Sequence, residues 1–362
     1  MIDLRLKVDP LPLVEPLVVR LCETVPERPS EHDAHLLQRE SGSREYEFQG
    51  FSLRLHCPDE LALDGDVLLL APGQPSAHRL IRAASPHNTL LVTEQCDQLC
   101  VMCSQPPKKH HVDLFRHFAT AVELAPIGAF IGLSGGEPLL HKERLFELLA
   151  FAADVRPDLR FHVLTNAQHF EEVDMGLLDQ IGLERVLWGI PIYAPEAEQH
   201  DLIVGKPGAF QQLERNLGLL QRTGASVELR TVVMRQNWGT LPRLADYVAA
   251  RTPFISVWAL MQLERIGYGR MNWKASFKDT SADFGKLKSA VNIAQARGVE
   301  VALYNFPLCS VPEGYRSFAP STISDWKRKY LDICDTCTSR STCGGFFEWY
   351  SHAEGFSGVR PI

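Results

Sequence analysis

The chain has 362 residues and a net charge of −7, because 44 Asp and Glu outnumber 37 Lys and Arg. This mild acidity argues against broad nucleic-acid binding, which favours a basic excess. The sequence contains no apolar run of membrane-spanning length, and its charged first residues do not resemble a signal peptide. Its nine cysteines are odd in number and clustered, which opposes a secreted disulfide framework and predicts a cytoplasmic protein without nucleic-acid or membrane partners.

Residues 1–85 are predicted to form a small β-rich domain. The polar stretch 26–45, with its Pro and Ser-Gly residues, predicts a loop. Residues 51–55 and 67–70 read as strands, with a turn at residues 64–66. These strands lead to the hypothesis that an extended peptide binds here by strand addition.

Short apolar strands and amphipathic helices alternate over residues 86–265. Strands are predicted at residues 89–93, 129–133, 161–164, 185–188, 227–233 and 254–260. This alternation predicts an α/β fold, a partial (β/α)6 barrel of mostly parallel strands. Residues 266–362 are predicted to form a separate C-terminal domain with a helix, a strand at 299–304 and a cysteine-rich tail. Ligand sites in such sheets lie at the C-terminal ends of the strands.

Three cysteines, Cys96, Cys100 and Cys103, follow the first of these strands with the spacing CxxxCxxC. The next cysteine is Cys309, so three local thiolates would leave one iron of a four-iron cluster open. An open coordination position separates catalytic from structural metal sites. The alternatives are a zinc site or three buried thiols.

A second set comprises Cys309, Cys334, Cys337 and Cys343. Four thiolates form a closed ligand set, which suits a structural zinc or a fully ligated iron–sulfur cluster, and spacing alone slightly favours zinc. Cys22 and Cys57 stand alone and are predicted to be buried structural thiols.

The cysteine spacing, Gly135-Gly136-Glu137-Pro138 at the end of the next strand and the strand–helix pattern resemble the radical S-adenosylmethionine (SAM) superfamily. The resemblance implies that Cys96, Cys100 and Cys103 hold a 4Fe–4S cluster. It also implies that one electron cleaves SAM into methionine and a 5′-deoxyadenosyl radical. The residue before the last cysteine is usually aromatic in this superfamily, whereas here it is Met102, whose thioether can still pack on an adenine.

The resemblance also implies a SAM pocket. Gly135, Gly136, Glu137 and Pro138 match the motif that contacts the SAM amino group, where an acid suits an ammonium partner, although such a sequence is also an ordinary loop. Thr165 and Asn166 resemble the position that reaches the ribose, or they form a turn or helix cap. Arg230 could meet the SAM carboxylate or face solvent. Tyr193 and Met261 are candidates for lining the nucleoside pocket.

Beside such a loop, the second cysteine set resembles the auxiliary-cluster domain of peptide-modifying members, of the SPASM or shorter twitch type. Residues 85–94, 104–107, 304–309 and 343–347 further resemble HxsC, the maturase family of the His-Xaa-Ser system. Membership implies a precursor peptide with His-Xaa-Ser repeats, a second radical SAM maturase and a small accessory protein. It also implies a reductant such as flavodoxin or ferredoxin.

Two other functions remain open from the sequence. One is a radical SAM enzyme that acts on a small molecule, and the other is a mainly supportive cluster-bearing subunit of a partner maturase. Lys108, Lys109, His110 and His111 could meet an acidic peptide segment, although a charge run is usually a solvated surface. No residue is nominated as general acid, general base or hydrogen donor.

Overall fold

The computed structural model describes residues 4–362, which divide into two compact units. The first unit contains residues 4–92, 112–134 and 141–162, and the second contains residues 93–111, 135–140 and 163–362. Within the described residues, no helix combines the length and apolarity that a membrane crossing requires.

The first unit begins with a closed β-barrel in which the strand order is β1-β5-β4-β3-β2-β6-β7. Its strands are β1 (Arg5–Val8), β2 (Leu17–Cys22), β3 (Asp33–Glu40), β4 (Ser43–Phe48), β5 (Phe51–His56), β6 (Val67–Leu70) and β7 (Ser76–Ile81). Alternate residues such as Leu53 and Leu55 are buried in the barrel core, as a half-buried strand requires. The predicted strands at 51–55 and 67–70 are therefore confirmed.

Two predictions for this region are wrong. The predicted loop at residues 26–45 contains β3, whose polar residues hid it because most of them face solvent. The buried Asp33 at its start is balanced by the guanidinium of Arg20, which donates to it from 2.8 Å. The strand-addition hypothesis fails because β1 pairs with both β5 and β7, so this barrel of described residues is closed and offers no free edge.

Three strands of the α/β region begin in the first unit. These strands and their helices are β8 (Asn88–Thr93), α1 (Phe115–Leu124), β9 (Phe130–Gly135), α2 (Lys142–Val155) and β10 (Arg160–Leu164). Helix α1 buries one apolar side, which includes Phe118 and Ala121. Strands β8, β9 and β10 end directly before or at the cysteines, the glycine pair and Thr165, respectively. The candidate site residues therefore follow the C-terminal ends of these strands.

The second unit contains four further strands, which pair in parallel in chain order. They are β11 (Val186–Pro191), β12 (Ser226–Val233), β13 (Val257–Gln262) and β14 (Val301–Tyr304). The helices are α3 (Met175–Ile181), α4 (Ala197–Val204), α5 (Ala209–Thr223), α6 (Arg235–Trp238), α7 (Leu241–Arg251), α8 (Gly267–Met271), α9 (Trp273–Ser276) and α10 (Gly285–Ala296). A small antiparallel pair, β15 (Arg328–Lys329) and β16 (Phe346–Phe347), lies near the C-terminal cysteines.

The α/β fold with a parallel-strand sheet confirms the predicted class. Strands β8 to β14 follow one another in a sheet of seven strands, one more than predicted. The additional strand is β14, which was assigned to the C-terminal domain but pairs in parallel with β13. Helix α10 makes this possible because it supplies the crossover that a parallel connection needs. The predicted boundaries at residues 85 and 265 remain predictions.

Candidate functional site

The three clustered cysteines lie on one loop that follows β8, named here the cysteine loop (residues 96–103). None of the three is in a disulfide, and each is partly exposed. Burial raises the pKa of Cys96 to about 12 and raises those of Cys100 and Cys103 as well. The neighbouring thiols of Cys103 and Cys96 raise the pKa of Cys100 further, so the three sulfur atoms lie within electrostatic reach of one another. A metal must therefore displace their protons on binding.

The end of α4 holds one side of the cysteine loop. The backbone N–H groups of Leu99 and Val101 donate to the carbonyls of Val204 and Ile203 at 2.9 and 3.0 Å. Gly205 ends α4 in the left-handed region, at a φ of 68°, and a Cβ there would lie 2.9 Å from the carbonyl oxygen of Leu99. Only glycine combines this backbone conformation with so close an approach.

A second segment, after β13, holds the other side of the loop. The N–H of Tyr268 and the side-chain amide of Asn272 donate to the carbonyls of Cys103 and Val101, each at 2.8 Å. A Cβ on Gly267 would lie 2.5 Å from the carbonyl oxygen of Cys103. The cysteine loop is therefore clamped between two segments that lie far from it in the sequence.

Asp97, inside the cysteine loop, is the centre of a polar network that the sequence analysis missed. Its carboxylate accepts hydrogen bonds from Asn166 at 2.8 Å and from Lys206, and it lies 3.1 Å from the ring nitrogen of His169. Burial opposes ionisation, but these three partners outweigh it and hold the pKa of Asp97 below its usual range. A carboxylate between two cysteines could have signalled such a role.

The glycine pair after β9 packs against the start of the cysteine loop. The N–H of Gly136 donates to the carbonyl of Thr93 at 2.8 Å. A Cβ on Gly136 would lie 2.1 Å from the carbonyl oxygen of Gln95 and 3.0 Å from the Cβ of Cys96. This close approach explains why glycine is needed here, and it fixes the backbone on which Cys96 is carried.

The carboxylate of Glu137 is fully buried and accepts hydrogen bonds from protein groups. Its predicted contact with the SAM ammonium stays a prediction. The donors are the hydroxyl of Thr165 at 2.6 Å and the backbone N–H groups of Asn166 and Leu139 at 2.5 and 2.8 Å. Burial raises its pKa to about 7 against the opposing effect of these bonds. Pro138 is buried and opens the short 3₁₀ turn that follows.

Thr165 and Asn166 form the turn that was one of their two predicted roles. Their side-chain oxygens accept the backbone N–H groups of Ala167 and Gln168, both at 3.0 Å. Both residues are buried, and their remaining bonds reach Glu137 and Asp97. The turn therefore connects the glycine motif with the cysteine loop.

Arg230 lies in β12 and contacts Glu228 on the same strand face. Its guanidinium donates to the carboxylate of Glu228, which is 2% exposed and also accepts the hydroxyl of Tyr304 at 3.1 Å. Met261 pairs in register with Tyr304 on the neighbouring strand, so it shares this face. Arg230 is therefore held by a buried acid and does not face solvent freely.

Tyr193 and Met102 belong to one apolar cluster, which also contains Val204, Trp273 and Phe346. Tyr193 lies two residues beyond β11 and is 7% exposed, and its backbone N–H donates to the ring of His200 at 3.3 Å. Cys100, Cys309 and Cys334 pack at the margin of the same cluster. One apolar core therefore supports both cysteine sets.

The C-terminal cysteines line one cavity, to which Cys309, Cys334, Cys337 and Cys343 all contribute. Burial raises the pKa of Cys309 to about 12, and the other three thiols contribute in the same direction. The N–H groups of Leu308 and Gly345 point at the sulfur of Cys343 from 3.4 and 3.3 Å. Such donors suit a thiolate that carries negative charge.

The two isolated cysteines and the basic run lie outside the contacts described above. Cys22 and Cys57 are buried in the first unit, as predicted. Lys108 forms an ion pair with Glu94. One cation of the basic run at residues 108–111 therefore already has an acidic partner within the protein. No group of three or more His, Cys, Asp or Glu side chains in residues 4–362 is arranged to hold a metal ion.

Comparison with known proteins finds similarity over part of the chain. A family model described as the radical SAM superfamily matches residues 90–248. The AdoMet-dependent heme synthase of Nitratidesulfovibrio vulgaris is 30% identical over 175 residues, which are 45% of this chain and 46% of that protein. The PqqA peptide cyclase of Granulibacter bethesdensis is 22% identical over 247 residues, 67% of this chain and 63% of that protein.

Among solved structures, Streptococcus suis SuiB bound to S-adenosylmethionine matches part of this chain. It gives a TM-score of 0.49 at 13% identity and covers 61% of this chain and 51% of SuiB. The chain spans about half the length of the heme synthase and of SuiB, and under two thirds of that of the cyclase.

Proposed function

We propose that this protein reductively cleaves SAM and modifies a ribosomally synthesised peptide, because residues 90–248 match the radical SAM superfamily model. The superfamily implies a 4Fe–4S cluster and SAM. The observation that carries the proposal is the cysteine loop itself, which brings three thiols without a disulfide into mutual electrostatic reach. In the number and spacing of its cysteines this donor set matches a cluster that keeps one iron free for SAM, although among the described residues the three side chains are not gathered around a single ion.

When bound, the cluster supplies the electron that cleaves a carbon–sulfur bond of SAM. The protein's own residues do the positioning. Gly136 lets β9 approach the backbone that carries Cys96, and Glu137 holds the Thr165–Asn166 turn beside it. Glu228 holds Arg230 in place for a carboxylate such as that of SAM. Such preorganised supports lower the cost of ordering a ligand.

We assign an auxiliary iron–sulfur cluster to Cys309, Cys334, Cys337 and Cys343. The support is their shared cavity and the two N–H groups aimed at the sulfur of Cys343. Four protein thiolates leave no iron free, so the residues suit electron transfer or structure better than SAM binding. Zinc remains the competing occupant, and metal analysis separates the two.

The proposed substrate is a precursor peptide with His-Xaa-Ser repeats. This proposal is based on the resemblance to HxsC. The similarity to a peptide cyclase over 67% of this chain supports a peptide as the class of substrate, without specifying its sequence. The proposed partners are a second radical SAM maturase, a small accessory protein and a flavodoxin or ferredoxin reductant.

Anaerobic reconstitution with iron and sulfide tests the cofactor assignment. Two clusters correspond to about eight irons per chain, and one cluster corresponds to about four. The Cys96→Ala, Cys100→Ala, Cys103→Ala variant should lose SAM cleavage to 5′-deoxyadenosine and about four irons. The matched control is Cys22→Ala, Cys57→Ala, which removes thiols from the first unit. Zinc in place of iron would contradict the proposal.

Co-expression with a candidate precursor peptide tests the substrate. A mass change on the peptide that requires Cys96, Cys100 and Cys103 supports peptide modification. Modification that persists in the triple variant instead assigns the protein a supportive role for a partner maturase.

A second candidate function is radical chemistry on a small molecule. The heme synthases favour it, since one is 30% identical to this chain and another, from Methanosarcina barkeri, is 29% identical over 153 residues. An unmodified peptide together with active SAM cleavage, and a mass change on an added iron–porphyrin substrate, would establish this function.

A further inference from the structure

Three aromatic side chains cluster at the small antiparallel pair formed by β15 and β16. Phe347 ends β16, and its ring stacks on that of Trp349 with the centroids 5.9 Å apart. The ring of Trp349 also lies 6.4 Å from that of Trp326, which precedes β15. The backbone N–H of Glu348 donates to the carbonyl of Lys327 at 2.8 Å, which continues the pairing of the strands and brings the two tryptophans opposite each other. The three rings are named here the aromatic platform.

The aromatic platform has an apolar surface that the protein does not fully cover. Phe347 is buried, whereas Trp326 and Trp349 are partly exposed. The only polar side-chain atom of Trp349 is its indole nitrogen, which is buried without a hydrogen-bond partner among residues 4–362. Any exposed part of this ring is therefore carbon, and such a surface suits stacking against another ring.

An ion pair borders the aromatic platform. The ammonium of Lys327 lies 5.3 Å from the ring centre of Phe347 and 5.7 Å from that of Trp326. It also lies 3.6 Å from the carboxylate of Glu264, which is longer than a hydrogen bond. Burial raises the pKa of Glu264, and the ammonium of Lys327 opposes this effect. The two side chains are 24% and 19% exposed, so a ligand can reach both a donor and an acceptor here.

The aromatic platform adjoins both cysteine sets. Phe346, which precedes Phe347, lines the cavity of the C-terminal cysteines. Glu264 lies just beyond the C-terminal end of β13. A Cβ on Gly269 would lie 2.5 Å from the carbonyl oxygen of Glu264 and 3.2 Å from that of Met102, so the backbone of Glu264 is adjacent to the cysteine loop. A group that binds to the platform is therefore held beside the candidate site.

We propose that the aromatic platform and the Lys327–Glu264 pair bind an imidazole ring, the side chain of a histidine in the peptide substrate. This inference rests on the proposed function, because it gives the peptide a binding site. An imidazole is planar and stacks on aromatic rings. Its neutral form carries one N–H donor and one acceptor nitrogen, which match the carboxylate of Glu264 and the ammonium of Lys327. A phenyl ring has neither group, and a serine hydroxyl has no ring face.

Titration calorimetry of the reconstituted protein with two synthetic peptides tests the proposal without turnover. One peptide contains a single His-Xaa-Ser unit, and the other has phenylalanine in place of the histidine. The wild type should bind the histidine peptide at least about tenfold more tightly, because only the imidazole forms hydrogen bonds with the two charged groups. Equal or tighter binding of the phenylalanine peptide would overturn the assignment of an imidazole.

Variants of the platform and of the ion pair locate the site. Trp349→Leu should weaken binding of the histidine peptide about tenfold, because it removes a stacking ring. Trp349→Phe keeps a ring and should weaken it about threefold or less. Glu264→Gln should weaken binding of the histidine peptide about tenfold and leave the phenylalanine peptide unaffected. The matched control is Trp238→Leu, which removes another partly exposed tryptophan with a lysine ammonium 4.4 Å from its ring centre.

The Trp238→Leu control should bind both peptides like the wild type. Unchanged affinity in Trp349→Leu would overturn the proposal, as would equal weakening in Trp349→Leu and Trp238→Leu. Equal losses in Trp349→Phe and Trp349→Leu would also overturn it, because a ring that is kept should keep its stacking.

SAM cleavage to 5′-deoxyadenosine, driven by dithionite without peptide, separates this inference from the proposed function. If the wild type does not cleave SAM, the proposed function fails, while the calorimetric comparison still decides whether the platform binds an imidazole. If SAM is cleaved but neither peptide binds, the platform assignment fails and the proposed cleavage of SAM stands.

Discussion

The carboxylate of Glu137 accepts a hydrogen bond of 2.6 Å from the hydroxyl of Thr165, in a setting where Glu137 has no exposure to solvent. The bond joins the glycine motif at the end of one strand to the turn at the end of the next. Asn166 continues this connection to Asp97 in the cysteine loop. Three sequence motifs that lie far apart are therefore joined through buried side chains.

Removing the Glu137 carboxylate should destabilise the protein strongly. Glu137→Ala leaves buried donors of Thr165, Asn166 and Leu139 without their acceptor, and each such donor costs about 1 kcal/mol or more, so we expect a loss of about 3 kcal/mol. Urea unfolding measures it. Thr165→Val should cost about 1 kcal/mol and Thr165→Ser close to nothing, because serine keeps the hydroxyl. An unchanged free energy of unfolding in Glu137→Ala would contradict the stabilising role of this network.

Adding one methyl group at Gly136 should displace the cysteine loop. Its Cβ would lie 2.1 Å from the backbone oxygen of Gln95, which cannot move without moving Cys96. We expect Gly136→Ala to lower iron bound per chain after reconstitution. The control is Gly218→Ala in α5, where a Cβ meets nothing within 4 Å and replacing a helical glycine should stabilise by about 0.5–1 kcal/mol. Equal iron content in the two variants would contradict this close-packing argument.

Breaking the ion pair of Arg230 should cost more than breaking the neighbouring hydrogen bond. Glu228 is 2% exposed, and Glu228→Gln leaves the guanidinium of Arg230 without its anionic partner at a cost of about 3 kcal/mol. Tyr304→Phe removes only one hydroxyl bond and should cost about 1 kcal/mol. Urea unfolding compares the two, and calorimetry of SAM binding should show weaker affinity for Glu228→Gln. A larger loss of stability in Tyr304→Phe than in Glu228→Gln would contradict the ion pair between Glu228 and Arg230.

His200 should make the protein less stable in mild acid. Burial lowers the pKa of its imidazole to about 4, while the unfolded chain has a pKa near 6.5. Because the folded pKa is depressed, the unfolded state binds the proton first, and stability falls as the pH drops from about 6.5 to 4. The loss approaches about 3 kcal/mol over this window.

The matched variant for this prediction is His200→Asn, whose side-chain oxygen can accept the N–H of Tyr193 without titrating. The difference in free energy of unfolding between the wild type and His200→Asn should change by about 3 kcal/mol between pH 7 and pH 4. A difference that is independent of pH would show that His200 is not the group responsible.

The sequence was most informative where a local pattern carries the chemistry. Alternating strands and helices predicted the parallel sheet, and the strand ends placed Cys96, Gly136 and Thr165 together. Polar β3 was missed because a strand in a small barrel can expose most of its residues. The hydrogen-bond network of Glu137 could not be inferred from the sequence, because the burial of its side chain depends on packing between strands.

Contacts between distant residues could not be inferred from spacing. Asp97 meets His169 and Lys206 across 72 and 109 residues, and no periodicity in the sequence connects them. The seventh strand, β14, is separated from β13 by a long connection that contains the three helices α8, α9 and α10, so its place in the sheet was not evident from the sequence.

The clamp on the cysteine loop has a consequence for how the protein is made. Asn272 holds Val101 from a position 171 residues later in the chain. During synthesis, all three thiols therefore leave the ribosome well before this part of the clamp exists. A nascent chain presents them on an unfinished loop, open to oxidation or to a wrong metal. The complete clamp on these thiols can therefore form only after translation has passed α8.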